Sequence, residues 1–524
     1  MGIYLNPKNT NFSEILRAPI YVDKTEMIAS MNRYIDIGSK YICMSRPRRF
    51  GKTIASNMLS AYYSKGCNSR ELFSGLKIAK AEGFEDKLNK FNVIKIDLNS
   101  EYQNAEDKTN LIKRMTDKIK REMRNEFLGI DLKADDSLSE CILKIYSETE
   151  ETFIIIIDEY DILVRERADA ELFSKYLSFL NGLFKSDTLR PTISLAYLTG
   201  ILPVIRDKVQ SKLNNFREYT ILDAYDLAEF IGFTSQEVEE LCREYAVEYS
   251  ECRHWYDGYR QRGYEIYNPE SVVMSMETKT FESFWGKTST YEAIAERIRM
   301  NFEGTKDAVI RMLAGEEVDV NVTRYMNTMD SFTSRNDMFT YLIHIGYLAY
   351  NASDKTCRIP NREVRQEWFN AIEANDDYKV TNGIIEASRD LLRSTLAGDS
   401  DAVAKALDIS HIHVTSNRSY NNEDALQSAI YLAYIYALNE YTVVREMTSG
   451  KGFADVVFIP FYPDMTAMVI ELKRNNSTES ALTQIKEKRY FDSLAQYYGN
   501  LLFVGINYDE EKKTHSCKIE RFVK

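Results

Sequence analysis

The chain has 524 residues, of which 44% are hydrophobic and 28% are charged, as expected for a globular protein of several domains. Its formal net charge is −12, which disfavours a protein whose main role is to coat nucleic acid. The seven scattered cysteines form no C-x-x-C pair, which argues against disulfides and structural zinc. The sequence shows no secretory signal and no apolar run that could cross a bilayer, so we expect a cytoplasmic protein with no membrane role.

Strands and helices alternate in the first part of the chain. Apolar runs predict strands at 40–45, 92–98, 153–158 and 192–199, and helical spacing is found at 52–64 and 109–124. This alternation is typical of a doubly wound α/β fold with a parallel sheet. We therefore predict one α/β domain over residues 1–210.

The middle of the chain, residues 211–377, is mostly helical in pattern. A turn-rich stretch at 254–272 interrupts the helices. Residues 336–370 have the pattern of a helix, a hairpin and a second helix, which suits a small winged-helix-like lobe.

The last part, residues 378–524, changes character. Helices are predicted at 382–397, 401–407 and 423–438, followed by strands at 441–446, 453–459, 466–473 and 500–507. A helix at 480–498 separates the last two strands. The pattern indicates a second α/β domain.

The segment SRPRRFGKT, residues 45–53, lies between a predicted strand and a predicted helix. It ends in Gly51, Lys52 and Thr53, like the phosphate-binding loop G-x-x-x-x-G-K-[ST]. In such a loop the lysine reaches the β- and γ-phosphates of ATP, and the threonine hydroxyl binds Mg²⁺. The first glycine of the pattern would fall at position 46, where this chain has Arg46.

Asp158 and Glu159 follow the apolar strand FIIII, which is the Walker B arrangement. Asp158 would hold the Mg²⁺ shell, and Glu159 would orient or deprotonate the attacking water. The alternative is a buried strand that ends in a solvated acidic turn.

Several segments resemble the AAA-ATPase-like family of bacterial proteins, whose phosphate loop itself reads R-P-R-R-F-G-K-[ST]. The resemblance rests on residues 12–15, 21–25, 46–53, 157–161, 197–204, 255–259 and 267–272. It implies nucleotide contacts for Arg46, Arg48, Arg49 and Gly51, and a γ-phosphate-sensing place for Thr199. A solvated basic patch and a strand-end threonine are the respective alternatives, while Arg206 and Arg217 are candidates for an arginine finger.

A second group of chemically active residues lies in the last domain. Glu471 and Lys473 are two apart on one predicted strand and so share a face, and Asp455 lies on the preceding strand. Carboxylates on neighbouring strands can share a Mg²⁺ ion, beside which a lysine can position the attacking water.

These three residues resemble the motif of the PD-(D/E)xK nuclease superfamily. The resemblance also matches Glu423 to the superfamily's helical acidic residue, and matches Gln484 and Tyr490 to its following helix. Phe453 departs from the basic or polar residue that is common before Ala-Asp. A cross-strand charge cluster and a decayed nuclease used only for binding are the alternatives, and the pair His411 and His413 is interpreted as solvated.

Together the resemblances imply an ATP-binding and ATP-hydrolysing protein that uses Mg²⁺. In this hypothesis the ATPase domain gates a nuclease-like domain that acts on nucleic acid, with DNA favoured over RNA. The alternative is an ATP-dependent switch that binds a protein or nucleic acid without cutting it, and a transposase-like activity is a weaker third hypothesis. The sequence leaves the oligomeric state open.

Overall fold

We analysed a computed structural model of the chain. The structure describes residues 2–522 except 205, 208–209, 212, 286–291, 324, 326–331, 375–377, 415–422, 450–451, 462–463, 490–493, 495–496 and 498–499. The chain divides into two compact units. The first unit is Met1–Thr288 with Asp319–Glu363, and the second unit is Ser289–Val318 with Val364–Lys524.

The first unit begins with an α/β core. Its helices are α1 (Thr10–Ile15), α2 (Glu26–Asn32), α3 (Lys52–Tyr63), α4 (Arg70–Ser74), α5 (Leu98–Gln103), α6 (Leu111–Glu126), α7 (Leu138–Thr149), α8 (Ile162–Arg165) and α9 (Ala170–Phe184). Its strands are β1 (Tyr41–Ser45), β2 (Asn92–Asp97), β3 (Phe153–Asp158), β4 (Ile193–Gly200), β5 (Arg206–Asp207), β6 (Gln210–Ser211) and β7 (Arg217–Tyr219).

Five of these strands form a parallel sheet in the order β2-β3-β4-β1-β7. Every residue of β1, β3 and β4 is buried, which agrees with the continuous apolar runs of the sequence, because a doubly covered sheet hides both faces. Thr199 of β4 is level with Met44 of β1 and Asp158 of β3. The loop after β1 and the acids after β3 therefore begin at the same edge of the sheet.

Further elements of the first unit follow this core. They are β8 (Phe233–Thr234), α10 (Ser235–Tyr245), α11 (Tyr249–Tyr256), β9 (Tyr259–Gln261), β10 (Tyr264–Tyr267), α12 (Pro269–Thr278), α15 (Arg335–His344), β12 (Ala349–Asn351) and β13 (Thr356–Arg358). The helix, hairpin and helix predicted at 336–370 are found as α15, β12, β13 and the later helix α16 (Arg362–Glu373).

The second unit contains helices followed by a sheet. Its other helices are α13 (Glu292–Ile298), α14 (Thr305–Leu313), α17 (Lys379–Ala397), α18 (Ser400–Val414), α19 (Glu423–Ala433) and α20 (Thr478–Lys488), and the short strand β11 (Val318–Asp319) lies at the division between the units. Its sheet strands are β14 (Tyr441–Ser449), β15 (Gly452–Pro460), β16 (Ala467–Arg474), β17 (Leu501–Asp509) and β18 (Thr514–Arg521).

The strands of this second sheet follow chain order, β14-β15-β16-β17-β18. All neighbours are antiparallel except β16 and β17, which are parallel and are connected through α20. The two faces are covered differently. Met468, Ile470 and Leu472 pack in one core with side chains of α17, α18 and α19, and Ala467 and Val469 pack in another with side chains of α20.

The predicted fold class is confirmed. The parallel P-loop-type sheet, the largely helical middle and the C-terminal α/β domain are all present. Strand β18 was not predicted, because its side chains are mostly half-buried and its apolar pattern is weak. The division at residues 210 and 377 stays a prediction beside the two compact units. Among the described residues, no helix is both long and apolar enough to span a membrane.

Gly505 controls how closely α20 approaches the second sheet. A Cβ atom at this position would lie 2.6 Å from the carbonyl oxygen of Thr478 and 3.1 Å from Cγ of Leu482. Gly505→Ala should therefore push α20 outward and lower the free energy of unfolding by about 1–3 kcal/mol, measured by urea unfolding.

Gly383→Ala is the matched control for Gly505→Ala. Gly383 is exposed in α17, and no atom lies within 4 Å of the added Cβ. Alanine there should raise stability by about 0.5–1 kcal/mol, because it lowers the entropy of the unfolded chain. Equal effects of the two substitutions would show that Gly505 does not limit the packing of α20.

Two candidate active sites

The first candidate site is a cavity of about 730 Å³ in the first unit. This volume lies within the range of small-molecule sites, about 300–1,000 Å³. The residues that line it include charged side chains, among them Lys52, Glu159 and Arg165. They also include the apolar and aromatic side chains of Tyr21, Val22 and Phe233. This mixed lining suits a ligand that has both charged and apolar groups.

The phosphate loop closes onto the first turn of α3. Gly51 precedes this helix with a φ of 90°, a left-handed conformation that favours glycine, although a Cβ there would meet no atom within 4 Å. Lys52 is buried and donates to the carbonyl oxygen of Pro47 at 2.9 Å. Burial lowers the pKa of Lys52, whereas Glu159 and Asp158 oppose the shift.

The arginines of the loop have different surroundings. Arg46 is 1% exposed, and its guanidinium donates to the carbonyl oxygens of Ser45 and Tyr219 and to Oε1 of Gln261. Arg49 lines the cavity and donates to the carbonyl oxygen of Phe284 at 3.0 Å.

Arg48 also lines the cavity, and it is exposed to solvent. Of the predicted nucleotide-binding residues in this loop, Arg48, Arg49, Gly51, Lys52 and Thr53 surround the cavity. Arg46 does not line it, and both Nη1 and Nη2 of its buried guanidinium donate to other groups of the protein.

Asp158 ends β3 and is almost completely buried. Burial and the neighbouring Glu159 raise the pKa of Asp158 to about 6, while a hydrogen bond from Thr53 and the charge of Lys52 oppose the shift. Asp158 and Thr53 are thus adjacent, as two ligands of one cation would be. Thr199 is fully buried and is level with Asp158 in the sheet.

Glu159 is held by a residue that the sequence interpretation missed. Its carboxylate forms an ion pair with Nη2 of Arg165, whose Nε is 3.2 Å from Oδ2 of Asp161. Glu159 also has a φ of 53°, an uncommon left-handed conformation for a residue with a side chain. The only sequence signal was that Arg165 follows the Walker B acids Asp158 and Glu159 closely along the chain.

The two arginine-finger candidates are Arg206 and Arg217. Arg217 does not line the cavity, and its guanidinium lies over the ring of Tyr34 at 5.7 Å. The side chain of Arg206 is outside the described part of the structure.

The second candidate site lies on β15 and β16 in the second unit. Val456 pairs with Ile470 in antiparallel register, which places Asp455 and Glu471 one step further along, beside each other. Nζ of Lys473 is 3.0 Å from Oε1 of Glu471. The main-chain N–H of Leu472 donates to Oδ2 of Asp455 at 2.7 Å. The three predicted residues are therefore brought together.

Glu471 is the most deeply buried of the three residues of this site. It is 1% exposed, and its Oε2 has no hydrogen-bond partner among the described residues. Burial and the charge of Asp455 raise the pKa of Glu471 to about 7, against the lowering effect of Lys473. An orphaned buried carboxylate oxygen beside a second carboxylate is a suitable place for a divalent cation.

Other predicted residues of the second site are less fully placed. Gln484 lies on α20 and is partly buried. Glu423 begins α19, but its side chain is outside the described part of the structure. The same holds for the side chains of His411, His413 and Phe453, and for the whole of Tyr490. Within the described residues, no group of three or more His, Cys, Asp or Glu side chains is arranged to hold a metal ion.

Gln427 was not anticipated as a neighbour of the second site. Its Nε2 donates to the carbonyl oxygen of Asp455 at 2.8 Å, so it connects α19 to the strand that carries this acid. No motif marked it, because the contact joins residues far apart in sequence.

Two family models match the chain. Residues 9–210 match the AAA-ATPase-like family, described as "Predicted AAA-ATPase". Residues 421–517 match the PD-(D/E)XK nuclease superfamily. The chain joins an AAA-ATPase-like domain to a PD-(D/E)XK superfamily domain. Both matches include the respective predicted site, since the first contains Lys52 and Asp158 and the second contains Asp455 and Glu471.

A curated relative is the "Uncharacterized protein in vnfD 5'region" of Azotobacter chroococcum mcd 1, which is 24% identical over 281 residues. The match covers 52% of this chain and 51% of the relative, so the chain spans about half the length of that protein.

Two solved structures show a weak similarity to the chain, and both are from Aeropyrum pernix. The ORC2 protein, solved as ADPNP–ADP complexes, is 10% identical, with 68% of this chain and 97% of that one covered and a TM-score of 0.31. The ORC1 protein, solved in complex with DNA, is 10% identical, with 94% and 100% covered and a TM-score of 0.24. At these TM-scores we draw nothing from either similarity.

Arg46 and Arg48 should have separable effects. Arg46→Met leaves Gln261 and two carbonyl oxygens without their donor, and each lost buried partner costs about 1–3 kcal/mol, so the melting temperature should fall. Arg48→Ala should leave the melting temperature unchanged and weaken ATP binding about tenfold, measured by calorimetry. A melting-temperature loss in Arg48→Ala equal to that in Arg46→Met would contradict this division.

Metal binding at the second site should depend on pH. Glu471 binds a proton below its pKa of about 7, and a protonated carboxyl is a poor ligand. The affinity of this site for Mn²⁺ should therefore fall as the pH is lowered, by up to about tenfold per pH unit below pH 7. The measurement is calorimetry on the Lys52→Ala variant, in which binding at the nucleotide site is weakened. Glu471→Gln should remove this dependence, and an unchanged dependence in that variant would assign it to another group.

Proposed function

We propose that the protein is an ATPase whose nucleotide-binding domain gates a Mg²⁺-dependent nuclease, with DNA as the favoured substrate. The observation that carries the nuclease proposal is the buried Glu471 carboxylate, with Oε2 unpartnered beside Asp455 and Lys473. A charge cluster formed only for stability would satisfy both oxygens of a buried carboxylate, since an unmet one is costly.

In the first site, ATP hydrolysis breaks the bond between the γ-phosphorus and the oxygen that bridges to the β-phosphate. A water oxygen forms the new bond, its proton passes to Glu159, and ADP and phosphate leave. Lys52 and Arg48 bind the phosphates, and Gly51 allows the loop to approach them. Thr53 and Asp158 would hold Mg²⁺, which supplies charge neutralisation of the phosphates when bound.

The nucleobase is proposed to pack against the apolar and aromatic side chains of the lining, which include Tyr21, Val22 and Phe233. Lys24 also lines the cavity, and its Nζ is 2.6 Å from Oε2 of Glu237. Because Glu237 lies in the first turn of α10, this ion pair connects the N-terminal segment to the elements that follow the core.

In the second site, cleavage breaks a phosphorus–oxygen bond of the nucleic-acid backbone. A water oxygen attacks the phosphorus, and the leaving oxygen takes up a proton. Lys473, whose Nζ is paired with Glu471, would orient this water, and the proton of the water passes to the surrounding solvent. Gln484 and Glu423 are proposed to assist. Asp455 and Glu471 would hold Mg²⁺, which stabilises the charge that develops on the phosphate when bound.

The alternative is a switch that does not cut. Phe453 stands where the resemblance would place a basic or polar residue before Ala-Asp, which would weaken a contact with nucleic acid there. A domain with this site could bind nucleic acid or a protein partner under the control of ATP without cutting. The net charge of −12 is consistent with either activity, because both need a chain that stays off nucleic acid until switched.

The test is phosphate release by the purified protein with Mg²⁺ and ATP, with and without single- or double-stranded DNA and RNA. The same samples are scored for cleavage on a gel. Lys52→Ala should abolish phosphate release, and under the gating hypothesis it should also reduce cleavage. Lys473→Ala should abolish cleavage, by at least about 100-fold, and leave phosphate release intact.

Lys405→Ala is the control, since Lys405 is an exposed lysine on α18. It should retain both activities. Phosphate release without cleavage in Mg²⁺ or Mn²⁺ would favour the non-cutting switch. Cleavage that is unaffected by Lys52→Ala would overturn the gating hypothesis.

A further inference from the structure

Arg165 is placed between two acids that have different neighbours. It is 10% exposed on α8 and lines the same cavity as Lys52, Thr53 and Glu159. One end of its guanidinium pairs with the carboxylate of Glu159, and Nε faces Asp161. A buried arginine with two acidic partners is a strong ion cluster, because the surrounding protein screens it poorly.

Asp161 anchors this cluster to the end of β4. Its Oδ2 accepts hydrogen bonds from the main-chain N–H groups of Ile201 and Leu202, at 3.0 and 2.8 Å. These residues follow Thr199 and Gly200 at the sheet edge. The Asp161 half of the cluster is therefore fixed by the fold, whereas Glu159 is 22% exposed and belongs to the cavity wall.

Glu159 cannot serve two partners at once. A carboxylate oxygen that is held by a guanidinium is not free to accept a hydrogen bond from the attacking water and orient it. A guanidinium also matches phosphate oxygens in charge and in fork geometry, so a terminal phosphate in this cavity competes with Glu159 for Arg165.

We propose that Arg165 detects the γ-phosphate of the bound nucleotide and restrains Glu159 until that phosphate is present. This inference rests on the proposed ATPase function. ATP draws the guanidinium from Glu159 to the γ-phosphate, and Glu159 becomes available to accept the proton of the attacking water. ADP lacks the competing phosphate and leaves the Glu159–Arg165 pair intact. Hydrolysis is thereby tied to a nucleotide that carries all three phosphates.

If Glu159 and the γ-phosphate compete for Arg165, substitutions at these residues should change nucleotide binding in ways that a purely structural role of Arg165 would not. Arg165→Gln should weaken binding of a β,γ-imido ATP analogue about tenfold and leave ADP binding within about twofold. Glu159→Gln removes the competing charge, so it should tighten analogue binding several-fold without changing ADP binding. In the double variant of Glu159→Gln and Arg165→Gln, the loss of the Glu159 charge should no longer tighten analogue binding. The reason is that Arg165, for which Glu159 and the γ-phosphate compete, is absent.

The experiment measures displacement of a fluorescent ADP by the analogue and by ADP, in the full-length protein with Mg²⁺. Arg165→Lys should recover only part of the preference for the analogue, since a lysine cannot form the two-pronged contact. Arg114→Ala, at an exposed arginine of α6, is the control and should behave as the unchanged protein does.

The outcomes separate this inference from the ATPase proposal. The role of Arg165 would be overturned if Arg165→Gln weakened the binding of the analogue and of ADP equally. It would also be overturned if Glu159→Gln still tightened analogue binding in the absence of Arg165. Nucleotide binding that Lys52→Ala leaves unchanged would instead overturn the nucleotide site itself. A selective loss for the analogue, cancelled in the double variant, supports the proposal.

Discussion

Three buried parallel strands of the first unit end at the same edge of the sheet, and the arrangement of the first candidate site depends on this. Because β1, β3 and β4 are in register at Met44, Asp158 and Thr199, the phosphate loop and the acids begin at one edge. Strands buried on both faces cannot slip in register without exposing apolar side chains. The register of the buried strands therefore determines where Lys52 and Glu159 lie, and the loops make only the final adjustments.

A comparable constraint acts in the second unit. The antiparallel register of β15 and β16 brings Asp455 beside Glu471, and the two-residue period of a strand places Lys473 on the same face. The sheet buries Glu471, and burial shifts its pKa toward neutrality. In both units a carboxylate at the site is thus made less acidic by the packing that positions it.

Much of this arrangement was predictable from sequence because the signals are local. The run FIIIID requires a buried strand, Gly-Lys-Thr requires a helix start, and Glu471 and Lys473 share a face at any strand register. The surroundings of Arg46 and Arg48 were not predictable. The two residues are alike in sequence, and the contacts of Arg46 with Tyr219 and Gln261, far along the chain, separate them. The Glu159–Arg165 pair was missed because a short helix had to be assigned before its side-chain directions could be known.

The arginine that stands in place of the loop's first glycine has a mechanical consequence. A glycine at that position would act as a hinge, whereas Arg46 fastens the loop to Tyr219 of β7 and to Gln261 of β9. Gln261 in turn donates to the carbonyl oxygen of Ile221. Hydrogen bonds therefore connect the loop, the edge strand β7 and the β9–β10 hairpin. A displacement of that hairpin would have to break or bend hydrogen bonds that hold the phosphate loop.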